Sequence, residues 1–271
     1  EVFRIEEYRR QRKKRADMAK ENQKFPVVSA IVMGICVAVF IVECLLSKSL
    51  EIDIPTIVLT GGYYKAFLVG LNEWWRFLTA GFVHGSIFHL ISNMMALFYT
   101  GRIVEKVYGK LDFFYILIGS VLVGNLFVFV GDGNIVACGL SGGLYGVMGA
   151  TFVLYAQSGL LQQKSVRSQI WSIVFINMMI SMMPDVSWLA HLGGLIAGVF
   201  LSMILSKEEK MKPWRKHCLI ALLALCAALG YLIPQRMKLD EIYAGTDMQV
   251  QSLARKAGMG WYAEHVNPIY T

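Results

Sequence analysis

The sequence predicts an all-α, polytopic membrane helical bundle. Three observations carry that prediction. The chain is 56% hydrophobic and only 17% charged, where a soluble domain would carry roughly 25% charge; its mean hydropathy is +0.51. Seven apolar runs punctuate it, at 27–46, 85–104, 111–130, 141–157, 168–183, 187–206 and 216–233. Most approach the roughly 20 residues that cross a hydrocarbon core. Lys and Arg, finally, segregate onto alternate connections.

Taken in order, residues 1–26 form a basic arm with nine Lys and Arg. The second run is followed by Arg102, Lys106 and Lys110, the fourth by Lys164 and Arg167, and the sixth by Lys207, Lys210, Lys212, Arg215 and Lys216. Together these connections hold 19 of the 26 basic residues, against 7 on the other side. By the positive-inside rule the N-terminus is expected in the cytoplasm and the 234–271 tail outside. The net charge of +7 is thereby explained by topology and lipid, and no nucleic-acid partner is expected. The arm is too basic for too long to read as a cleavable signal peptide. A short basic arm without targeting features favours a bacterial plasma membrane. The runs at 141–157 and 168–183 are short, so they extend beyond these bounds or lie where the bilayer is thin.

Cys36, Cys44, Cys218 and Cys226 fall within spans, where a thiol behaves as a small apolar group. Cys138 has no obvious partner, so neither a disulfide nor a metal site is expected. A His-Glu-x-x-His signature is absent. Gly131-Asp132-Gly133 is superficially similar to an aspartyl intramembrane motif but lacks a second intramembrane Asp.

Polar groups inside the spans carry the functional signal, because ionisable residues in lipid are costly and functional by default. Ser141 opens the fourth run. His89 and His191 lie about five residues into the second and sixth. These runs all enter from the same side, so at about 1.5 Å per residue the three groups share one level near the outer surface. Asn93 follows His89 by four residues and projects from the same face. Gly142, Gly146 and Ala150 form a small-residue stripe, as do His191, Gly194 and Gly198. Such stripes let helix backbones approach closely in lipid. If they face each other, Ser141 Oγ reaches His191, and Tyr145, one turn below, can stack on the imidazole.

Serine is a poor nucleophile until a base takes its proton. His191 is the obvious base, worth about 10²–10⁴ in rate. The Ser141 backbone N–H at a helix N-terminus, with His89 and Asn93, are the candidate oxyanion donors. Water would enter through the polar 131–140 loop.

These residues resemble the rhomboid family of intramembrane serine proteases. Gly139-Leu140-Ser141-Gly142 matches its Gly-x-Ser-Gly. Ala190-His191-x-x-Gly194-x-x-x-Gly198 matches its second signature. His84-x-x-x-x-His89-x-x-x-Asn93, Trp75-Arg76, and Glu105 with Gly109 add to the likeness, which covers about residues 27–206. The resemblance implies a six-helix catalytic core at 27–206 and a cytoplasmic linker with an extra seventh transmembrane helix at 207–233. It implies Ser141 as nucleophile, His191 as base, His89 and Asn93 as oxyanion stabilisers, His84 as a structural partner, and no cofactor. Substrates would be single-span membrane proteins, cut near the outer face, usually after a small residue. The family's aromatic gate on the fifth span has no clear counterpart; Trp171 and Phe175 are the candidates.

Structural readings stand beside these. A lone Ser at a helix start is usually only a cap. Tyr63, Tyr64, Trp74 and Trp75 read as an interfacial aromatic belt. Glu105 with Arg102 and Lys106 reads as a charge cluster at the inner surface, and Glu43 as a group that snorkels or bonds a loop. Asn125 and Asn177 read as interhelical glue; His217 and His265 as incidental. Two rival functions are an inactive rhomboid-like protein that binds membrane clients, and a small transporter. The apolar residues below the polar cluster (Val147, Phe152, Val199) argue against a solute path. The tail suggests no function, and the oligomeric state is open.

Overall fold

The computed structural model describes residues 26–131, 135–183, 186–238 and 244–266. The basic arm up to residue 25 and the polar turn at 132–134 lie outside the described residues. Seven long helices stand where the apolar runs lie: α1 (Val27–Ser47), α5 (Ile87–Tyr108), α6 (Lys110–Gly131), α7 (Ser141–Gln157), α8 (Lys164–Ser181), α9 (Trp188–Leu205) and α10 (Lys212–Leu232). Among the described residues five helices, those based on α1, α5, α6, α9 and α10, are long and apolar enough to cross a membrane by length and composition. The chain is an all-α, multi-pass membrane bundle.

The short α7 does not extend beyond its expected bounds; its 17 residues rise about 26 Å. By contrast α8 starts four residues early, at Lys164. Its first turn is polar, which hides it from an apolar scan. α5 runs on to Tyr108 through a π-turn at Leu97–Gly101. There Gly101 lets the chain pass Ser29 and Phe113, which a Cβ would crowd at 2.9 and 3.3 Å.

Among the described residues five shorter helices lie around one end of the bundle: α2 (Ile54–Leu59), α3 (Lys65–Gly70) and α4 (Arg76–Thr79) between α1 and α5, and the pair α11 (Ala244–Lys256) and α12 (Gly260–His265) in the tail. Strands β1 (Tyr63–Tyr64) and β2 (Val136–Ala137) pair antiparallel, with Tyr63 opposite Ala137 and Tyr64 opposite Val136. This pair ties the first loop to the segment that leads into α7.

Three expectations change. Tyr63 and Tyr64 are not a membrane-interface belt: they are 0% and 1% exposed, because Tyr63 packs among Leu68, Ala80, Val128 and Phe129 and Tyr64 among first-loop and tail residues. Trp75 stays half exposed, and Trp74 stacks on Phe77 at 6.0 Å. Glu105 does more than sit in a charge cluster. Its carboxylate accepts the backbone N–H groups of Val28 and Ser29 at 2.9 and 3.0 Å and the Ser29 hydroxyl at 2.8 Å. It thus satisfies orphan donors at the start of α1, whose own cap position is Pro26 with no side-chain cap. The tail, third, is a packed element.

Val250, Ala254, Tyr262, Ala263 and Val266 form one apolar cluster with Val58, Leu59, Tyr64, Ala66 and Phe67. Tyr64 Oη donates to Asp247 Oδ1 at 2.6 Å. The guanidinium of Arg76, wholly buried, anchors the assembly. It donates to Glu73 at 2.6 Å, to the Val58 and Gly62 carbonyls at 2.6 and 2.8 Å, and to Tyr262 Oη at 2.9 Å. His265 is not incidental, since its Nε2 lies 3.6 Å from Glu73. The tail and the first loop therefore share one end of the bundle. Glu43, also wholly buried, accepts the Thr60 hydroxyl at 2.9 Å, as expected of a group that bonds a loop.

Helix α9 packs against α6 and α7 along its small residues. A Cβ on Gly194 would overlap the Gly142 carbonyl, and one on Gly198 the backbone of Gly146. The two stripes legible in the sequence do face each other, backbone against backbone.

Candidate active site

The first turns of α5, α7 and α9 converge at the end of the bundle that carries the first loop. Ser86 caps α5 and accepts the His89 N–H at 3.1 Å. Ser187 caps α9, accepting the Ala190 N–H at 3.4 Å. In both helices the capping serine places a histidine in the first turn.

Gly139 positions Ser141. It holds φ +114, and a Cβ there would lie 2.5 Å from His89 Cε1. Glycine alone adopts that backbone without strain and leaves room for the imidazole. Its N–H donates to the Ala80 carbonyl at 2.8 Å, which fixes the approach to α7. Ser141 is the first residue of that helix. The first intrahelical bond is from Leu144 to Leu140 at 3.0 Å. The N–H groups of Ser141, Gly142 and Gly143 thus have no partner within the helix, and they point to its mouth.

Ser141 does not use its side chain as a cap. Its Oγ lies 2.9 Å from His191 Nε2, fifty positions away. His191 is 5% exposed. Tyr145, one turn below Ser141, stacks on it as expected, with ring centroids 4.0 Å apart and planes 10° apart. On the far side of the ring, His191 Nδ1 lies 2.7 Å from Ser181 Oγ. Tyr145 Oη lies 2.8 Å from both Ser181 Oγ and the Asn177 carbonyl.

Ser181 escaped sequence reasoning. It is the last residue of α8, in the Met-rich run at 168–183, and only the approach of α8 to α9 brings it to the histidine. Asn177 serves as glue through its carbonyl, while its amide donates within α8 to Ile173 at 2.8 Å. Asn125 bridges from α6 to the Phe77 carbonyl of α4 at 2.8 Å.

His89 lies against Gly139, and its ring meets His84 edge-on at 5.1 Å. His84 is fully buried, with Nδ1 3.2 Å from the Phe82 carbonyl. Burial, and His89 beside it, push its imidazole down to about 3, so it is neutral and serves as packing. The Asn93 side chain is 95% enclosed, and its amide donates to the His89 carbonyl at 2.9 Å. His89 and Asn93 are therefore linked to each other along one helix face. Gly142, Gly194 and Gly198 lie in the α7–α9 seam beneath. Trp171 and Phe175, the gate candidates, are both exposed on α8. Burial pushes the Cys138 thiol, three residues before Ser141, up to about 12, which leaves it inert.

Known proteins of similar sequence point to one family. A family model of the Rhomboid domain matches residues 71–208. The chain is 30% identical over 166 residues to the rhomboid protease GluP of Bacillus subtilis, covering 61% of this chain and 32% of that protein. It is 30% identical over 145 residues to the putative rhomboid protease YdcA of the same organism, covering 52% of this chain and 73% of that one. It is 28% identical over 139 residues to the inactive RHOMBOID-like protein 8 of Arabidopsis thaliana, covering 51% and 40%. The chain thus spans about a third of GluP but most of YdcA, and relatives named as proteases and one named as inactive both occur. With the domain match covering half of its length, and the Ser141 and His191 signatures inside that match, the chain belongs to the rhomboid family.

Proposed function

We propose that this protein is an intramembrane serine endopeptidase acting through a Ser141–His191 dyad. The observation that carries the reading is the 2.9 Å separation of Ser141 Oγ and His191 Nε2, at the head of a helix whose first N–H groups have no partner within the helix. Ser141 Oγ attacks the scissile carbonyl carbon as its proton passes to Nε2. The oxyanion of the tetrahedral intermediate meets the Ser141 N–H, with His89 and Asn93 as side-chain donors. One such donor is typically worth about 2.7–4 kcal/mol. The Asn93 amide donates one hydrogen to the His89 carbonyl and keeps a second N–H for the oxyanion. The imidazolium then protonates the leaving amine, and a water deprotonated by Nε2 releases the acyl group.

The substrates are single-span membrane proteins whose helix unwinds within one or two turns of the outer face. The basic residues of the arm and of alternate connections support a cytoplasmic N-terminus, an extracytoplasmic tail and a plasma-membrane location.

The test is a cleavage assay on a single-span reporter in liposomes, run beside labelling by a fluorophosphonate. Wild type should cleave and label. Ser141→Ala and His191→Ala should do neither, and the double variant should be no worse than either, because members of one catalytic unit are non-additive. Wild-type turnover in Ser141→Ala would overturn the proposal. A wild type that binds the reporter without cutting it would instead support the client-binding function.

A further inference from the structure

His191 uses one ring nitrogen toward Ser141, and the dyad leaves the other without an assignment. The structure gives Nδ1 a partner, Ser181 Oγ at 2.7 Å. Resting on the dyad just proposed, we infer that Ser181 is a positioning residue that holds His191 in the tautomer and orientation its role as base requires.

The proton inventory is closed. If Nε2 is to accept the Ser141 proton, Nδ1 must carry the ring hydrogen and donate it. A serine hydroxyl offers one donor and two acceptor positions. Ser181 donates to the Asn177 carbonyl, at 2.8 Å, one turn back on its own helix. Its lone pairs are then available to the His191 Nδ1–H and to Tyr145 Oη, at 2.8 Å. A serine late in a helix often bonds the carbonyl four residues back for local reasons alone. That habit explains the bond to Asn177 but not the approach to Nδ1, which comes from a different helix. Tyr145 restrains the same ring from its face, so two groups on two helices define its plane and its rotation. Because the partner is a neutral hydroxyl, its contribution is to orientation and tautomer, with no second charge in the site.

One consequence concerns α8. It carries no buried residue along its described length, yet its last residue sets the base. Competence of the dyad is thereby coupled to the register of the least enclosed helix of the bundle.

The experiment compares wild type, Ser181→Ala and Ser181→Thr in liposomes with the single-span reporter, and records imidazole 15N spectra of the same proteins. Ser181→Ala is expected to lower kcat about tenfold, the size of one lost hydrogen bond expressed in the transition state, with KM little changed. Ser181→Thr, which keeps the hydroxyl, should restore most of the rate. The His191 spectrum should move from the Nδ1–H tautomer in wild type and Thr toward the Nε2–H tautomer in Ala. Unchanged kcat and an unchanged tautomer in Ser181→Ala would overturn the inference, as would a loss that Thr fails to restore with the tautomer unmoved. A wild type that cleaves nothing would sink the protease reading alone, since the tautomer comparison still judges Ser181.

Discussion

Tyr145 and His191 lie nearly parallel, 4.0 Å apart, and they come from helices whose backbones touch one turn lower. A stacked aromatic contact is worth about 0.5–1.5 kcal/mol beyond its buried area. Tyr145→Ala is therefore expected to lower kcat roughly two- to tenfold through loss of the stack, while Tyr145→Phe should keep that share. Steady-state kinetics on the liposome assay would decide. An equal loss in both variants would assign the effect to the hydroxyl instead.

His89→Ala and Asn93→Ala should lower turnover more than substrate affinity, because oxyanion donors act chiefly in the transition state. A loss of about 10²–10³ in kcat is the usual size for one donor. His89 also fills the space against Gly139, so its variant should melt at lower temperature as well. A change confined to KM would reassign either residue to substrate docking.

The α7–α9 seam gives a steric test. In Gly198→Val the new side chain would collide with the Gly146 backbone. Overpacking of that kind costs about 1–3 kcal/mol, and the helices that carry Ser141 and His191 must part. Thermal unfolding in detergent should shift down, and fluorophosphonate labelling should slow. Gly230→Ala, where a Cβ meets nothing within 4 Å, should leave both unchanged. Normal labelling in Gly198→Val would show that the dyad does not depend on this contact.

Attachment of the tail should depend on pH. Burial raises the Asp247 carboxyl above its usual range, with the Tyr64 hydrogen bond opposing. A carboxyl that is harder to ionise when docked favours docking in its protonated form. The tail should be held most tightly below the carboxylate's ordinary pKa of about 3.9 and less tightly as pH rises through the raised value. Hydrogen exchange at Val250 and Ala254 measures this. Asp247→Asn should flatten the profile and, at neutral pH, protect these amides at least as well as wild type. Protection that grows with pH would contradict the assignment.

Orientation in the membrane can be read by thiol labelling in a background without native cysteines. A cysteine at Asn134 should react with an impermeant reagent from outside. One at Ser165 should react only after the membrane is opened. The reverse pattern would place the site near the cytoplasmic face and invert the proposed substrate geometry.

Much of this was legible in the chain because lipid narrows the choices. Long apolar runs have to be helices there, since each backbone group must be satisfied internally. A serine and a histidine at the heads of two small-residue stripes had few places to go but toward each other. What stayed hidden depended on pairing across sequence distance. Tyr63 and Tyr64 look like interface residues until α6 covers the first and the tail the second. Lys164 and Arg167 mask the first turn of α8. Ser181 has nothing in its own neighbourhood that points to His191, and Tyr262 nothing that points to Arg76. Glu105 was visible as a charge, but its partner is the start of a helix 76 residues earlier.

The bond from Arg76 to Tyr262 spans 186 positions. During synthesis the first loop leaves the ribosome long before the residue that finishes its core. At about 5–20 residues per second, that interval is on the order of 10–40 s. Until then the Arg76 guanidinium lacks the Tyr262 hydroxyl as an acceptor, and Val58 and Phe67 lack the tail residues that cover them. The core that joins the first loop to the tail is thus among the last parts of the protein to close, after α10 and the segment that follows it have been made. A nascent chain arrested between those points would lack the tail half of that core, so the order of synthesis leaves the first loop uncovered until the last segment arrives.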